Sequence, residues 1–168
     1  MSPRSRLLEL ATSILSRGEV LTLDRLATEA GLSKAGVIHH FRTKEGLMRA
    51  VLGSVLDRWE EELEQRAAAR PGPHARLRAY IDHSFTEQFD ASNLAFLADV
   101  HLRDELRQAW LQRLSSWLGD ATDAGQTAAR LLADGVWFNQ ALGTARFSAD
   151  LRQELQSIAE SLLDGGEQ

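Results

Sequence analysis

The chain has 168 residues, enough for one or two domains with a real hydrophobic core. It has no cysteine, which excludes disulfides, thiolate metal sites and a cysteine nucleophile. The formal net charge of −5 is unevenly spread: residues 1–56 hold eight Lys/Arg against five Asp/Glu, net +3, and the rest hold eleven against nineteen, net −8. A basic head on an acidic body suits a nucleic-acid reader whose other tasks sit elsewhere in the chain. There is no apolar run of the ~20 residues that a membrane span needs. The start, MSPRSRLLEL, lacks a signal-peptide core. A cytoplasmic location without membrane association is the expectation.

Leu7, Leu8, Ala11, Ile14 and Leu15 share one face and predict a helix from about Arg4 to Ser16. Arg4 and Arg6 are either its solvated end or an arm reaching phosphate or minor groove. Arg17-Gly18-Glu19 is a turn. The next stretch, Thr22 to Leu47, organises the rest. Thr22 can cap a short helix whose apolar stripe is Leu23, Leu26, Ala27 and Ala30. Gly31 stands where a left-handed C-cap belongs. Ser33 can cap a second helix, in which Val37 and Phe41 lie one turn apart and point inward. The other side carries Ala35 and His39, flanked by Lys34, Gly36 and Ile38. Helix, glycine turn, helix is the helix-turn-helix plan, whose second helix enters the major groove.

The stretch GLSKAGVIHHFRTKEGL closely resembles the signature of the TetR family of transcriptional repressors. That family shows a glycine turn, a capping serine, a helix ending in Tyr-x-His-Phe, then Ser-Lys-Glu. Here Ile38 takes the tyrosine position, His39-His40-Phe41 follow, and Thr43, Lys44 and Glu45 match the last part. The resemblance implies that Lys34, Ala35, Ile38 and His39 face the bases and that Gly36 permits close approach. Lysine can donate to guanine, and Ala35 or Ile38 can pack on a thymine methyl. It further implies Thr22, Ser33, His40 and Lys44 as phosphate anchors, with Thr43 beside them capping the following helix. The loss of the family tyrosine at Ile38 bears on the operator sequence.

From Lys44 a helix of about 26 residues is expected to reach Ala69, with Met48, Val51, Leu52, Val55, Leu56, Trp59 and Leu63 repeating every three to four positions. Pro71-Gly72-Pro73 ends it. Further helices are predicted near Leu77–Phe85, over Leu94–Val100, Leu102–Leu118, Asp123–Leu142 and Ala149–Leu163, the last capped by Ser148. The fold class is therefore all-α with about nine helices. A DNA-binding domain at 1–47 precedes a ligand-binding and dimerisation domain at 48–168, and Gly165–Gln168 should fray.

In TetR-family bodies the last two helices pair with a twin subunit. The resemblance thus implies a homodimer through Leu131, Phe138, Leu142, Leu155, Ile158 and Leu162, although such stripes equally suit intrachain core. A dimer with two heads suits a palindromic double-stranded operator. Trp59, Phe85, Phe89, Phe96, Trp110 and Trp137 are candidate walls of a cavity for a small aromatic or cationic hydrophobic effector, with negative charge from Asp134 or Glu62. Packed core is the competing reading. The segment Leu132-Ala133-Asp134-Gly135 resembles the short multidrug-sensing branch of the family.

No HExxH, P-loop or nucleophile elbow is present, so an enzyme is not expected, nor is a cofactor. His39-His40 point about 100° apart on a helix, and His101 with Glu105 offers too few ligands, so no metal site is expected. The alternatives kept open are a regulator with the same head but no drug-like inducer, as activator or metabolite sensor, and a helical protein-interaction module.

Overall fold

In the computed structural model, residues 2–97 and 99–164 are described, Phe96 by its backbone alone. Every regular element among them is helical: α1 Pro3–Ser16, α2 Leu23–Ala30, α3 Lys34–Phe41, α4 Lys44–Ala69, α5 Ala75–Thr86, α6 Arg103–Leu114, α7 Ala124–Leu142 and α8 Ala149–Asp164. Side chains cap the starts of the helices where the sequence provides capping residues. Thr22 Oγ1 accepts from Arg25 N at 3.1 Å, Ser33 Oγ from Gly36 N at 3.2 Å, Thr43 Oγ1 from Gly46 N at 3.0 Å and Ser148 Oγ from Leu151 N at 3.2 Å. None of the described helices is long and apolar enough to cross a membrane.

Among the described residues the α-helix expected over Leu94–Val100 is not formed. In place of Leu94–Val100, two 3-10 turns run over Ala91–Leu97, broken at Leu94 with φ −94° and ψ 17°. Side chains compete with helix here. Asp90 Oδ1 accepts from Ser92 N at 2.8 Å and from Ser92 Oγ at 2.6 Å, while Asn93 Oδ1 accepts from Asp90 N at 3.1 Å. The helix expected over Leu102–Leu118 ends as α6 at Leu114 and tightens into a 3-10 turn, Ser115–Trp117. Gly165–Gln168 lie outside the described residues.

The chain divides into two compact units, residues 1–57 with 90–110 and residues 58–89 with 111–168. In the first, α1 packs on α2 and on the 91–97 turns, and α2 packs on α3. Leu7, Ile14, Leu26, Val37, Phe41, Leu47 and Met48 form its buried core. In the second, α7 packs along α8, and α5 packs on both. Leu77, Tyr80, Ile81, Phe85, Ala133 and Trp137 fill its interior, with Trp59 and Leu63 from the later turns of α4.

Two glycines set the local geometry of the first unit. Gly31 adopts φ +65° as the left-handed cap of α2, donating to the Ala27 and Thr28 carbonyls. Gly46 lets α4 start close to the end of α3, because a Cβ there would stand 2.2 Å from the Phe41 carbonyl oxygen. Gly31→Ala should therefore cost about 1–2 kcal/mol of stability, the penalty of a side chain in the left-handed region. Gly46→Ala, which forces backbone apart, should cost more. Urea denaturation of both variants checks this, and an unaltered midpoint for Gly46→Ala would contradict the close approach.

Candidate nucleic-acid interface and second-unit core

The α2–turn–α3 segment has one wet face. Ser33, Lys34, Ala35, Ile38 and His39 are exposed, His40 and Gly36 are half-buried, and Val37 and Phe41 are buried. The four-residue spacing that buries Val37 and Phe41 fixes the opposite face outward. Thr22 and Ser33 accept from backbone N–H groups, and each hydroxyl keeps its own hydrogen for an outside acceptor. The first turn of α3 has no acidic residue, and its last turn carries His39 and His40.

Two of the expected cationic contacts have partners within the unit. Lys34 Nζ donates to Asp24 Oδ2 at 2.9 Å, an exposed pair that water screens. Lys44 Nζ lies 2.9 Å from Asp99 Oδ2, whose side chain is only 7% exposed. Asp99 also accepts from His101 N and Leu102 N ahead of α6. The Lys44 hydrogen bond, with these N–H groups, holds the Asp99 carboxyl below its ordinary range. Lys44 thus fastens the start of α4 to the segment before α6. Arg42, not singled out from sequence, sits exposed between α3 and α4 at φ +62°. Its only sequence signal is a basic residue between a recognition helix and the next cap. Of the N-terminal arginines, Arg4 stacks over the Phe41 ring at 5.5 Å, whereas Arg6 is exposed.

In the second unit the expected cavity aromatics pack on one another. The Trp59 ring lies 5.4 Å from Phe89, 5.5 Å from Trp137 and 4.6 Å from His83, and Phe89 lies 6.0 Å from Trp137. Two of these contacts are edge-on and two are tilted, and none is a face-to-face stack. Phe85 is buried on α5. Trp110 is buried within the first unit, and the Phe96 side chain lies outside the described residues. At the centre Tyr80 donates its hydroxyl hydrogen to Asp134 Oδ1 at 2.5 Å and accepts from Trp137 Nε1 at 2.9 Å. Asp134 also faces Arg130 Nε at 3.8 Å. Burial, with the Asp134 charge beside it, pushes the Tyr80 hydroxyl well above its usual pKa.

Beside this cluster Glu62, His83 and Glu87 bring one ligand atom each within 4.8 Å of one another. The positive charge there is supplied by Arg66, which pairs with Glu87 and, through Nε at 2.9 Å, with Asp82. Of the stripe on α7 and α8, Leu131, Leu142 and Ile158 are about half exposed, and Phe138, Leu155 and Leu162 are partly covered.

Residues 17–51 match the family of bacterial regulatory proteins, tetR family, and residues 74–164 match the tetracyclin repressor-like C-terminal domain. The HTH-type transcriptional regulator BetI of Paraburkholderia xenovorans is 32% identical over 144 residues, covering 75% of this chain and 74% of that protein. The chain belongs to the TetR family. With BetI of Burkholderia ambifaria the match is 39% identical over 67 residues and spans only 34% of that regulator's length. The fold is shared with solved regulators. A Rhodococcus sp. protein assigned to the TetR-family regulators has a TM-score of 0.69 at 18% identity over 95% of this chain and 98% of its own. A transcriptional regulator from Pseudomonas aeruginosa PAO1 has 0.69 at 21%, over 98% and 91%.

The TetR-family match over 17–51 contains every residue named on the α2–α3 face, Thr22 to Lys44. The match over 74–164 contains Phe85, Phe89, Asp134, Trp137 and the α7–α8 stripe, while Trp59 falls between the two. Tyr80 and His83 carry the polar chemistry of this core, and neither was singled out from the sequence as a site residue. His83 is nearly fully buried, with Nδ1 3.3 Å from Glu62 Oε2. Burial first, then Arg66 and Arg58, push its pKa down to about 3. It is neutral at pH 7, whereas in the unfolded chain it titrates near 6.5. The unfolded state thus binds the extra proton between those values, and stability falls as pH drops from about 6.5 toward 3, by at most about 1.4 kcal/mol per unit. His83→Gln should flatten this acid limb; a melting-temperature profile from pH 7 to 4 parallel to that of the parent protein would refute the assignment.

Proposed function

We propose that the chain is a cytoplasmic repressor that binds a palindromic double-stranded operator as a homodimer and is released by a small ligand held in its C-terminal unit. The observation that carries the reading is α3: capped by Ser33, anchored inward by Val37 and Phe41, and presenting Lys34, Ala35, Ile38 and His39 to solvent. Membership of the TetR family gives that face its expected partner. On this reading Lys34 and His39 donate to base edges, and Ala35 and Ile38 make apolar contacts beside Gly36. Thr22, Ser33, His40, Thr43 and Lys44 hold phosphates. Lys44 reaches DNA while remaining paired to Asp99, since an ammonium has three donors.

The dimer is supported by the α7–α8 stripe, where Leu131, Leu142 and Ile158 remain exposed within one chain. Gly135 lies on the same stretch, with nothing within 4 Å of the position a Cβ would take. A head at 1–47 and a body at 48–168 divide the work, and α4 belongs to both. Release then requires a ligand that binds the DNA-incompetent arrangement more tightly than the competent one. An aromatic or otherwise apolar ligand body suits the ring-rich core.

Fluorescence anisotropy with a labelled fragment of the DNA upstream of the gene tests the reading. The parent protein should bind it specifically, with affinity falling steeply as salt rises. Ala35→Glu should weaken specific binding at least ~10-fold, because a carboxylate meets the base edges and phosphates. Absence of any salt-dependent DNA binding would favour the interaction-module alternative. In sedimentation, Leu131→Arg should shift the protein to monomer without loss of helicity, and a dimer that survives would remove the stripe from the interface.

A further inference from the structure

Most arginines of the second unit face acids: Arg66 meets Asp82, Arg70 meets Glu160, Arg78 meets Asp164, Arg113 meets Glu60 and Arg130 meets Asp134. Arg58, Arg76, Arg146 and Arg152 have no acidic partner among the described residues; Arg76 stacks over the Trp117 ring, and Arg146 and Arg152 share one location. Both line one cavity of about 410 Å³ with Gln88, Phe89, Gln140 and Phe147. This lies within the ~300–1,000 Å³ typical of small-molecule sites. Two donors on its wall, Nε of Arg152 and Nε2 of Gln140, are buried without an acceptor. A buried unpaired donor is costly, so two beside one cavity point to an acceptor that comes from outside.

We propose that this cavity binds an organic anion, a carboxylate on an aromatic or apolar body. The carboxylate sits against Arg146, Arg152 and the Gln140 amide, and the body against Phe89 and Phe147. A guanidinium matches a carboxylate with two parallel donors, which a neutral oxygen or an ammonium cannot exploit. The site faces away from the proposed dimer stripe on α7. Gln140 is nine residues, two and a half turns, from Leu131, so it lies on the other side of the helix. Phe89 belongs both to the cavity wall and to the ring cluster with Trp59, His83 and Trp137. An occupant therefore bears directly on the core. The binding site stands by itself; its role as the effector site rests on the regulator reading above.

Isothermal titration of the full chain with 2-naphthoate, 2-naphthamide and 2-naphthylmethylammonium tests it. The carboxylate should bind at least ~10-fold more tightly than the amide, and the ammonium not at all. Arg152→Gln, and independently the more exposed Arg146→Gln, should each weaken 2-naphthoate at least ~10-fold with an unaltered circular dichroism spectrum. Equal binding of the three probes, no binding at millimolar concentration, or 2-naphthoate binding untouched by both variants overturns the site. The upstream-DNA assay separates this from the regulator reading. Specific DNA binding without 2-naphthoate binding overturns the site and keeps the regulator. Binding of 2-naphthoate that leaves DNA affinity unchanged keeps the site and overturns its effector role.

Discussion

The second unit depends on how one buried hydroxyl is satisfied. Tyr80 is buried, with the Trp59 ring 6.3 Å away, and a phenol in that setting must find polar partners or lose the free energy of hydrating it. It finds both on α7: the Asp134 carboxylate to donate to and the Trp137 indole to accept from. These two α7 residues are three positions apart, on one face of the helix, so the bonds fix the rotation of α7 against α5. Trp137 then has its ring placed against Trp59 and Phe89, and the cluster closes around it. The network has a second effect, on charge. Asp134 is the acid that would attract a cationic ligand to the rings, and it is already committed to Tyr80 and faces Arg130. At the arginine cavity the charge is positive: among the described residues Arg146 and Arg152 have no acidic partner.

The first unit shows the opposite economy of means. Its helix boundaries come from residues acting within four positions of themselves: Thr22, Ser33 and Thr43 as hydroxyl caps, Gly31 as the left-handed stop. That is why the helix-turn-helix was legible in the sequence. Caps and apolar periodicity are local properties, and local properties survive without knowledge of the fold. The same holds for α4, α7 and α8, whose ends the sequence placed within a residue or two. Where reading failed, local chemistry offered two answers. Leu94–Val100 has helical spacing, but Asp90, Ser92 and Asn93 bind one another's backbone and side chains, and 3-10 turns win.

The candidate site divides along the same line. The outward face of α3 follows from the inward face, because Val37 and Phe41 define both. Pairings across the fold did not follow. Nothing near Lys44 in sequence announces Asp99, fifty-five positions away, and nothing near Arg66 announces both Asp82 and Glu87. Aromatic spacing was equally ambiguous. Trp59, Phe89 and Trp137 are brought together as expected, but as rings in mutual contact, which is what apolar surface does when nothing else covers it. Trp110 belongs to the first unit instead.

A packed ring cluster and a responsive core are compatible if the cluster has one member that an occupant can reach. Phe89 is that member. It follows α5 in a short connection, contacts Trp59, His83 and Trp137 inward, and lines the arginine cavity outward. A residue on a connection moves at lower cost than one inside a helix, because no helical hydrogen bond must break. Displacing Phe89 would leave Trp59 without one of its ring neighbours, and Trp59 is part of α4, the helix that begins two residues after Arg42 at the end of α3. Energy spent at the cavity thus has a contiguous, packed route to α4. A ligand that binds equally with Phe89 in or out would shift nothing, however tightly it is held.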